Sequence, residues 1–207
     1  MSAQSELGFI HKFIPAKRSE FPTLLVLHGT GGDEDDLIPL AGMIDPDAAI
    51  LSPRGKTLEN GMPRFFRRFA EGKFDIRDLR FRTAELADFV SLASKKYGFD
   101  PKSVVAVGYS NGANIGASLL LLRPETLSRA ILFRAMLPLS PEKLPDLSGK
   151  KVFISAGKHD TMIPKDGTLA LQDLLEKASA QVTMNWINSA HSLIQTEVEK
   201  AREWLLK

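Results

Sequence analysis

The chain has 207 residues, 43% hydrophobic and 25% charged, with 15 glycines and 12 prolines. These values suit one globular domain able to bury a full core, and they exclude a disordered, collagen-like or linker-like chain. A net charge of +2 (27 Lys and Arg against 25 Asp and Glu) offers no basic surface for nucleic acid or an anionic membrane, and zero cysteines exclude disulfides, a thiol nucleophile and thiolate metal sites. No apolar run reaches the ~20 residues of a membrane span. Met1-Ser-Ala-Gln-Ser-Glu6 lacks the basic start and apolar run of a secretory leader, so a cytoplasmic address is expected.

Along the chain, short aliphatic runs alternate with longer amphipathic ones. Residues 9–14 read as an edge strand ended by Pro15. Leu24-Leu-Val-Leu27 stops at His28-Gly29, Ala49-Ile-Leu51 at Ser52-Pro53, Val104-Val-Ala-Val107 at Gly108, and Val152-Phe-Ile154 near Gly157. Each is short, aliphatic or β-branched, and closed by a turn former, as buried parallel strands are. Residues 127–132 and 182–187 complete about seven strands. Helices are predicted over 75–97, opened by Asp75-Ile-Arg-Asp78 in the manner of a capping box, and over 111–122, 165–178 and 192–206. Asp33-Glu-Asp-Asp36 reads as a further helix start, where negative charge is favoured, in preference to a metal site. Strand–helix alternation predicts an α/β fold with a mainly parallel sheet in a single domain over 1–207. A (β/α) barrel, at about 250 residues and about eight units, fits poorly. Residues 53–74 form the longest stretch without clear structure, and Phe65, Phe66 and Phe69 within it argue against disorder.

Gly108-Tyr-Ser-Asn-Gly112 matches G-x-S-x-G between a predicted strand and a predicted helix. That context is what a nucleophile elbow needs, because a sharp turn must lift the serine hydroxyl above the sheet edge. The bland alternative is a serine that caps the next helix. A nucleophilic serine needs a base, and the base an orienting carboxylate, usually in the chain order Ser, Asp, His. Asp160 follows the strand over 152–154, and His191 follows the strand over 182–187. Both therefore join Ser110 at the carboxyl ends of strands, where open α/β sheets place their sites. Asp166 is the competing carboxylate but sits better at a helix start, and Asp146 falls at the wrong sheet end. Of the other histidines, His11 is expected on the surface of the edge strand, His159 points elsewhere, and His28 braces a loop. That loop, His28-Gly-Thr-Gly-Gly32, lacks the glycine spacing and lysine of a phosphate loop. It suits an oxyanion hole formed by the backbone N–H groups of Thr30 and Asn111.

Taken together, His28-Gly-Thr-Gly-Gly32, Gly108-Tyr-Ser-Asn-Gly-Ala113, Gly157-Lys-His-Asp-Thr-Met-Ile-Pro164 and Ala190-His-Ser-Leu193 resemble the phospholipase/carboxylesterase family of α/β-hydrolases, to which acyl-protein thioesterases belong. The stretch Glu59-Asn-Gly-Met-Pro-Arg-Phe-Phe-Arg-Arg68 is similar to the small bacterial carboxylesterases, including hydrolases linked to hydroquinone stress. The resemblance implies a Ser110–Asp160–His191 triad, a Thr30/Asn111 oxyanion hole, no cofactor and often a homodimer. Asn111 stands where eukaryotic thioesterases have Gln, and Ala190 where Gly is commoner. The first difference makes an acyl-protein substrate less fitting.

The resulting expectation is a serine carboxylesterase for short- to medium-chain acyl esters, needing neither metal nor nucleic acid. A thioesterase or lysophospholipase would use the same machinery, and a non-catalytic hydrolase-fold binding protein would have lost a triad member. In the 53–74 segment, Met62 and one or both of Phe65 and Phe66 are expected to line a short acyl pocket, with Arg64, Arg67 and Arg68 facing solvent or pairing with acids. Leu119-Leu-Leu-Leu122 exceeds one amphipathic face and is expected to be buried inside the fold.

Overall fold

A computed structural model describes residues 7–207, and Met1 to Glu6, read above for a leader, lie outside the described residues. A seven-stranded sheet runs in the order β1-β3-β2-β8-β9-β10-β11. Its strands are β1 (His11–Ile14), β2 (Thr23–Leu27), β3 (Ala49–Pro53), β8 (Val104–Tyr109), β9 (Arg129–Phe133), β10 (Lys151–Gly157) and β11 (Gln181–Ile187). Every pairing is parallel except that of β1 with β3, where His11 faces Pro53 and Ile14 faces Ile50. This is the mainly parallel α/β sheet that the strand–helix alternation predicts, in the α/β-hydrolase arrangement that the family resemblance implies.

The period of two along each strand supplies two apolar faces. On β2, Leu25 and Leu27 enter one core and Leu24 and Val26 the other. On β8, Val104 and Ala106 divide from Val105 and Val107 in the same way. Three helices cover the first face: α2 (Ile76–Tyr97), α3 (Asn111–Leu122) and α4 (Lys165–Lys177). The second face is covered by α1 (Ile38–Ile44) and α5 (Gln195–Leu205). Leu119, Leu120 and Leu121 are fully buried, which accounts for the leucine run on α3. Among the described residues, no helix is long and apolar enough to cross a membrane.

Helix ends follow local chemistry. The Asp75 side chain accepts from Asp78 N–H at 3.1 Å at the start of α2, and Gly98, at φ 76°, closes it in the left-handed conformation. Two expectations need correction. Residues 33–36 do not start a helix, because α1 begins only at Ile38. Instead Glu34 receives a bidentate Arg54 at 2.5 and 2.8 Å, and Asp35 pairs with Lys12, so the acidic run ties the loop after β2 to the strands beside it. His11 is no surface residue either. It is 3% exposed, bonded through Nδ1 to Phe9 O at 2.8 Å and through Nε2 to the Tyr97 hydroxyl at 2.7 Å. The edge strand turns one face to solvent, and His11 lies on the other.

The 53–74 segment folds as two small hairpins: β4 (Thr57–Glu59) with β5 (Met62–Arg64), and β6 (Arg68–Ala70) with β7 (Lys73–Phe74). The first turns at Asn60 and Gly61, at φ 53° and 80°. That Asn-Gly pair is the strongest short-range hairpin signal, and it is legible in the sequence.

Candidate active site

Three strand ends and one loop converge at the carboxyl edge of the sheet. Ser110 lies between β8 and α3 at φ 53° and ψ −113°, a strained turn for a non-glycine residue. Its N–H donates to Phe133 O at 2.9 Å, which fixes the turn against β9. The motif glycines are required by close approach. A Cβ at 112 would lie 2.0 Å from Leu27 O, and one at 108 would lie 2.7 Å from the backbone of Ala113.

His191 sits in the loop between β11 and α5, which starts three residues later than the sequence predicts, at Gln195. Its Nε2 lies 3.1 Å from Ser110 Oγ and its Nδ1 lies 2.8 Å from Asp160 Oδ2. Asp160, in the loop after β10, accepts through its other oxygen from Met162 N–H at 2.9 Å and Ile163 N–H at 3.0 Å. Tyr109 braces the histidine: its hydroxyl donates to His191 O at 3.1 Å, and the two rings stand 5.3 Å apart. Burial pushes the Tyr109 phenol pKa up, so it remains a donor at neutral pH. The competing groups lie elsewhere. Asp166 is exposed in the first turn of α4, Asp146 caps the turn at Ser148, and His159 Nε2 contacts Asn188 Oδ1 at 2.7 Å.

Thr30 and Asn111 both line the cleft beside Ser110. Asn111 is the first residue of α3, where backbone N–H groups have no partner within the helix. In the opposing loop, Gly31 N–H is taken by Pro63 O at 2.9 Å and Gly32 N–H by Gly29 O at 3.2 Å. The β5 hairpin buttresses both cleft residues. Arg64 Nη1 donates to Thr30 Oγ1 at 2.6 Å, and Phe65 N–H donates to Asn111 Oδ1 at 2.7 Å. That bond leaves Asn111 Nδ2 buried without a partner. His28 braces the same loop as expected: Gly55 N–H donates to its Nε2 at 2.9 Å, so the ring proton resides on Nδ1, 2.6 Å from Gly29 O. Burial lowers the His28 pKa, so the ring stays neutral.

The cleft has a volume of about 320 Å³. Met62, Phe74, Met136, Met162 and Ile163 supply its apolar wall, and Arg64, Arg68 and Glu71 a polar edge. Met62 is among the residues lining this cleft. Phe65 and Phe66 are not: at 2% and 0% exposed, they pack on His28 and Phe74 and anchor the hairpin to the core. Arg68 pairs with Glu59 at 2.7 Å and Arg67 with Asp75 at 3.0 Å, as expected. Arg64 also pairs with an acid, Glu59 at 3.3 Å, but from a buried position, with its pKa lowered by burial and then by Arg68. Among the described residues, no three His, Asp or Glu side chains gather as a metal site.

The sequence reading also missed Arg134, immediately after β9 and fully buried behind the His191 loop. One signal was present: a lone arginine inside the apolar run Ala130-Ile-Leu-Phe-Arg-Ala-Met-Leu137, where an unpaired charge would be too costly to bury.

Known proteins share this architecture. The family described as phospholipase/carboxylesterase matches residues 10–207. The hydrolase MhqD of Bacillus subtilis (strain 168) is 48% identical over 193 residues, covering 93% of this chain and 96% of that protein. A carboxylesterase crystal structure from Bacillus cereus gives a TM-score of 0.95 at 52% identity, covering 97% of this chain and 95% of that one. Another, from Mesorhizobium loti, gives 0.87 at 33% identity, covering 94% and 92%. With this likeness extending over nearly the whole length, the chain belongs to the phospholipase/carboxylesterase family and is an esterase of the α/β-hydrolase fold.

Proposed function

We propose that the chain is a serine carboxylesterase acting on short- to medium-chain acyl esters through an acyl-enzyme intermediate. The observation that carries this reading is the unbroken contact from Asp160 through His191 to Ser110, at 2.8 and 3.1 Å, opening into the cleft. Ser110 Oγ attacks the acyl carbon while His191 Nε2 takes the hydroxyl proton. The carbonyl oxygen becomes an oxyanion and accepts from the N–H groups of Thr30 and Asn111. Collapse of the intermediate breaks the bond to the alcohol oxygen, which receives the proton from His191. Water then enters, gives a proton to His191 and attacks the acyl carbon; the acid leaves and Ser110 regains its proton. Asp160 remains ionised throughout, orienting the imidazole and stabilising its charged form.

Substrate size follows from the cleft. A volume of about 320 Å³ lies at the small end of ligand pockets and suits acyl chains of roughly two to eight carbons. Met62, Phe74 and Met136 would flank such a chain, and flexible thioethers adapt to more than one length. The enzyme acts in the cytoplasm, needs no cofactor and assembles as a homodimer, which light scattering at micromolar concentration tests. The reaction itself is tested with a fluorophosphonate probe and a panel of acyl esters and thioesters. Wild type is labelled and prefers short esters, whereas Ser110→Ala is folded, unlabelled and inactive. Turnover near wild type by a folded Ser110→Ala protein refutes the reading.

A further inference from the structure

Arg134 is the largest fully buried side chain among the described residues, and the catalytic steps above do not use it. It begins in an unusual backbone: φ is 58° at a non-glycine residue, with its N–H bonded to Ser155 O at 2.8 Å. The guanidinium forms a two-pronged ion pair with Glu197 of α5, Nη1 to Oε2 and Nη2 to Oε1, each at 2.7 Å. Glu197 is itself saturated, accepting from Ser155 Oγ at 2.6 Å and from Ile194 N–H at 2.8 Å.

The other contacts of Arg134 fall on the loop that carries His191. Nε donates to Ala190 O at 3.1 Å and Nη2 to Ser192 O at 2.7 Å, so both neighbours of the histidine are held by one planar group. Nη2 also reaches Ser189 Oγ at 3.0 Å, and Nη1 lies 3.3 Å from Ser155 O. On the other side, Nε stands 3.9 Å from Asp160 Oδ2, the oxygen that receives His191 Nδ1. A buried ion pair is poor evidence for stability, because well-packed apolar residues often replace one without loss. Its other use is to fix a single conformation. Here the fixed elements are the loops of the base and the acid, which come from different strands and have few apolar residues to anchor them.

We infer that Arg134 is a positioning residue for the triad: its guanidinium, oriented by Glu197, clamps the carbonyls flanking His191 beside Asp160 and so sets the Asp160–His191–Ser110 alignment. The inference rests on the serine-esterase reading. Only a planar fork satisfies these directions together; a lysine keeps the charge but cannot span both carbonyls and both carboxylate oxygens.

Two variants test it: Arg134→Lys, and the double change Arg134→Met with Glu197→Leu, which removes both buried charges. Both are expected to fold, as seen by circular dichroism and thermal melts, and to lose about 10- to 100-fold in kcat with KM changed less than about threefold, the scale expected when a reacting group is displaced by about 1 Å. A proton NMR signature separates positioning from mere support. The downfield resonance of His191 Nδ1–H, bonded to Asp160, should be present in wild type and in Ser110→Ala, and lost or broadened in both clamp variants. Folded variants with full kcat and an intact resonance overturn the inference. Unfolding of both variants also overturns it, since the guanidinium would then serve the fold and not the triad. Failure of the esterase reading looks different, because Ser110→Ala would then keep its activity whatever Arg134 does.

Discussion

Replacing Asp160 with Asn keeps the shape of a side chain that is almost wholly buried, yet the surroundings dictate how the new amide must lie. One Asp160 oxygen accepts two backbone N–H groups, from Met162 and Ile163, while the other accepts a single N–H from His191. An asparagine has only one oxygen. Placing it toward His191 would aim the NH₂ at two backbone donors, forfeiting two hydrogen bonds at about 1 kcal/mol each and setting donors against donors. The oxygen therefore stays with the loop, and the NH₂ faces His191 Nδ1. Nδ1 must then accept, so the ring proton moves to Nε2, which can no longer take the proton of Ser110. Losses of about 10⁴ in kcat accompany this tautomer error in the best-studied triads, about 5 kcal/mol of transition-state stabilisation. Asp160→Ala forces no tautomer and should be no worse than Asp160→Asn. The assay is kcat on a short p-nitrophenyl ester, with a thermal melt of each variant. Asp160→Asn retaining more than about a tenth of wild-type kcat, or Asp166→Asn proving the more damaging change, would refute this assignment of the carboxylate.

Phe66→Ala should destabilise by about 3–5 kcal/mol, lowering the melting temperature by roughly 10 °C, while the acyl-chain profile of the surviving enzyme is unchanged. A shifted profile at unchanged stability would return Phe66 to the pocket. Met62→Ala, at the cleft wall, should instead alter the chain-length optimum with little effect on stability, measured across a series of esters. Arg64→Met removes the donor to Thr30 Oγ1 and should lower kcat about tenfold, since a charge-assisted hydrogen bond is worth about 1.5–3 kcal/mol. His28 is held neutral by burial, with its pKa below the ordinary 6.5. Its contribution to stability is complete above about pH 6.5 and declines as pH falls toward the folded-state value, because the unfolded chain binds a proton that the folded chain resists. Urea melts at pH 7.5 and 5.5 should show this decline, and His28→Gln should reduce it.

Much of the fold and of the candidate site is local in origin and therefore legible in the sequence. The strands are short aliphatic runs closed by turn formers, and the alternation of Leu24, Leu25, Val26 and Leu27 between two cores is a direct result of strand geometry. G-x-S-x-G exposes Ser110 because the glycines at 108 and 112 let backbones approach at the elbow, a constraint written in adjacent residues. The rule that sites sit at the carboxyl ends of parallel strands then brings Asp160 and His191 to the same edge from far along the chain. What tertiary structure alone decided lies where a side chain's surroundings come from distant segments. The pattern of residues 62–69 does not tell a core aromatic from a pocket aromatic. Phe65 is buried because His28 arrives beneath it, and Phe66 because Phe74 does. Arg64 is buried because Thr30 and Glu59 receive it, whereas its neighbours at 67 and 68 remain at the surface or rim. His11 is buried because α2 brings Tyr97 against the edge strand. Arg134 meets partners at 155, 189–192 and 197 only after four segments have packed, and no spacing rule connects positions so far apart. Periodicity reports which face a residue takes within its own element; the identity of what arrives at that face is a property of the assembled core.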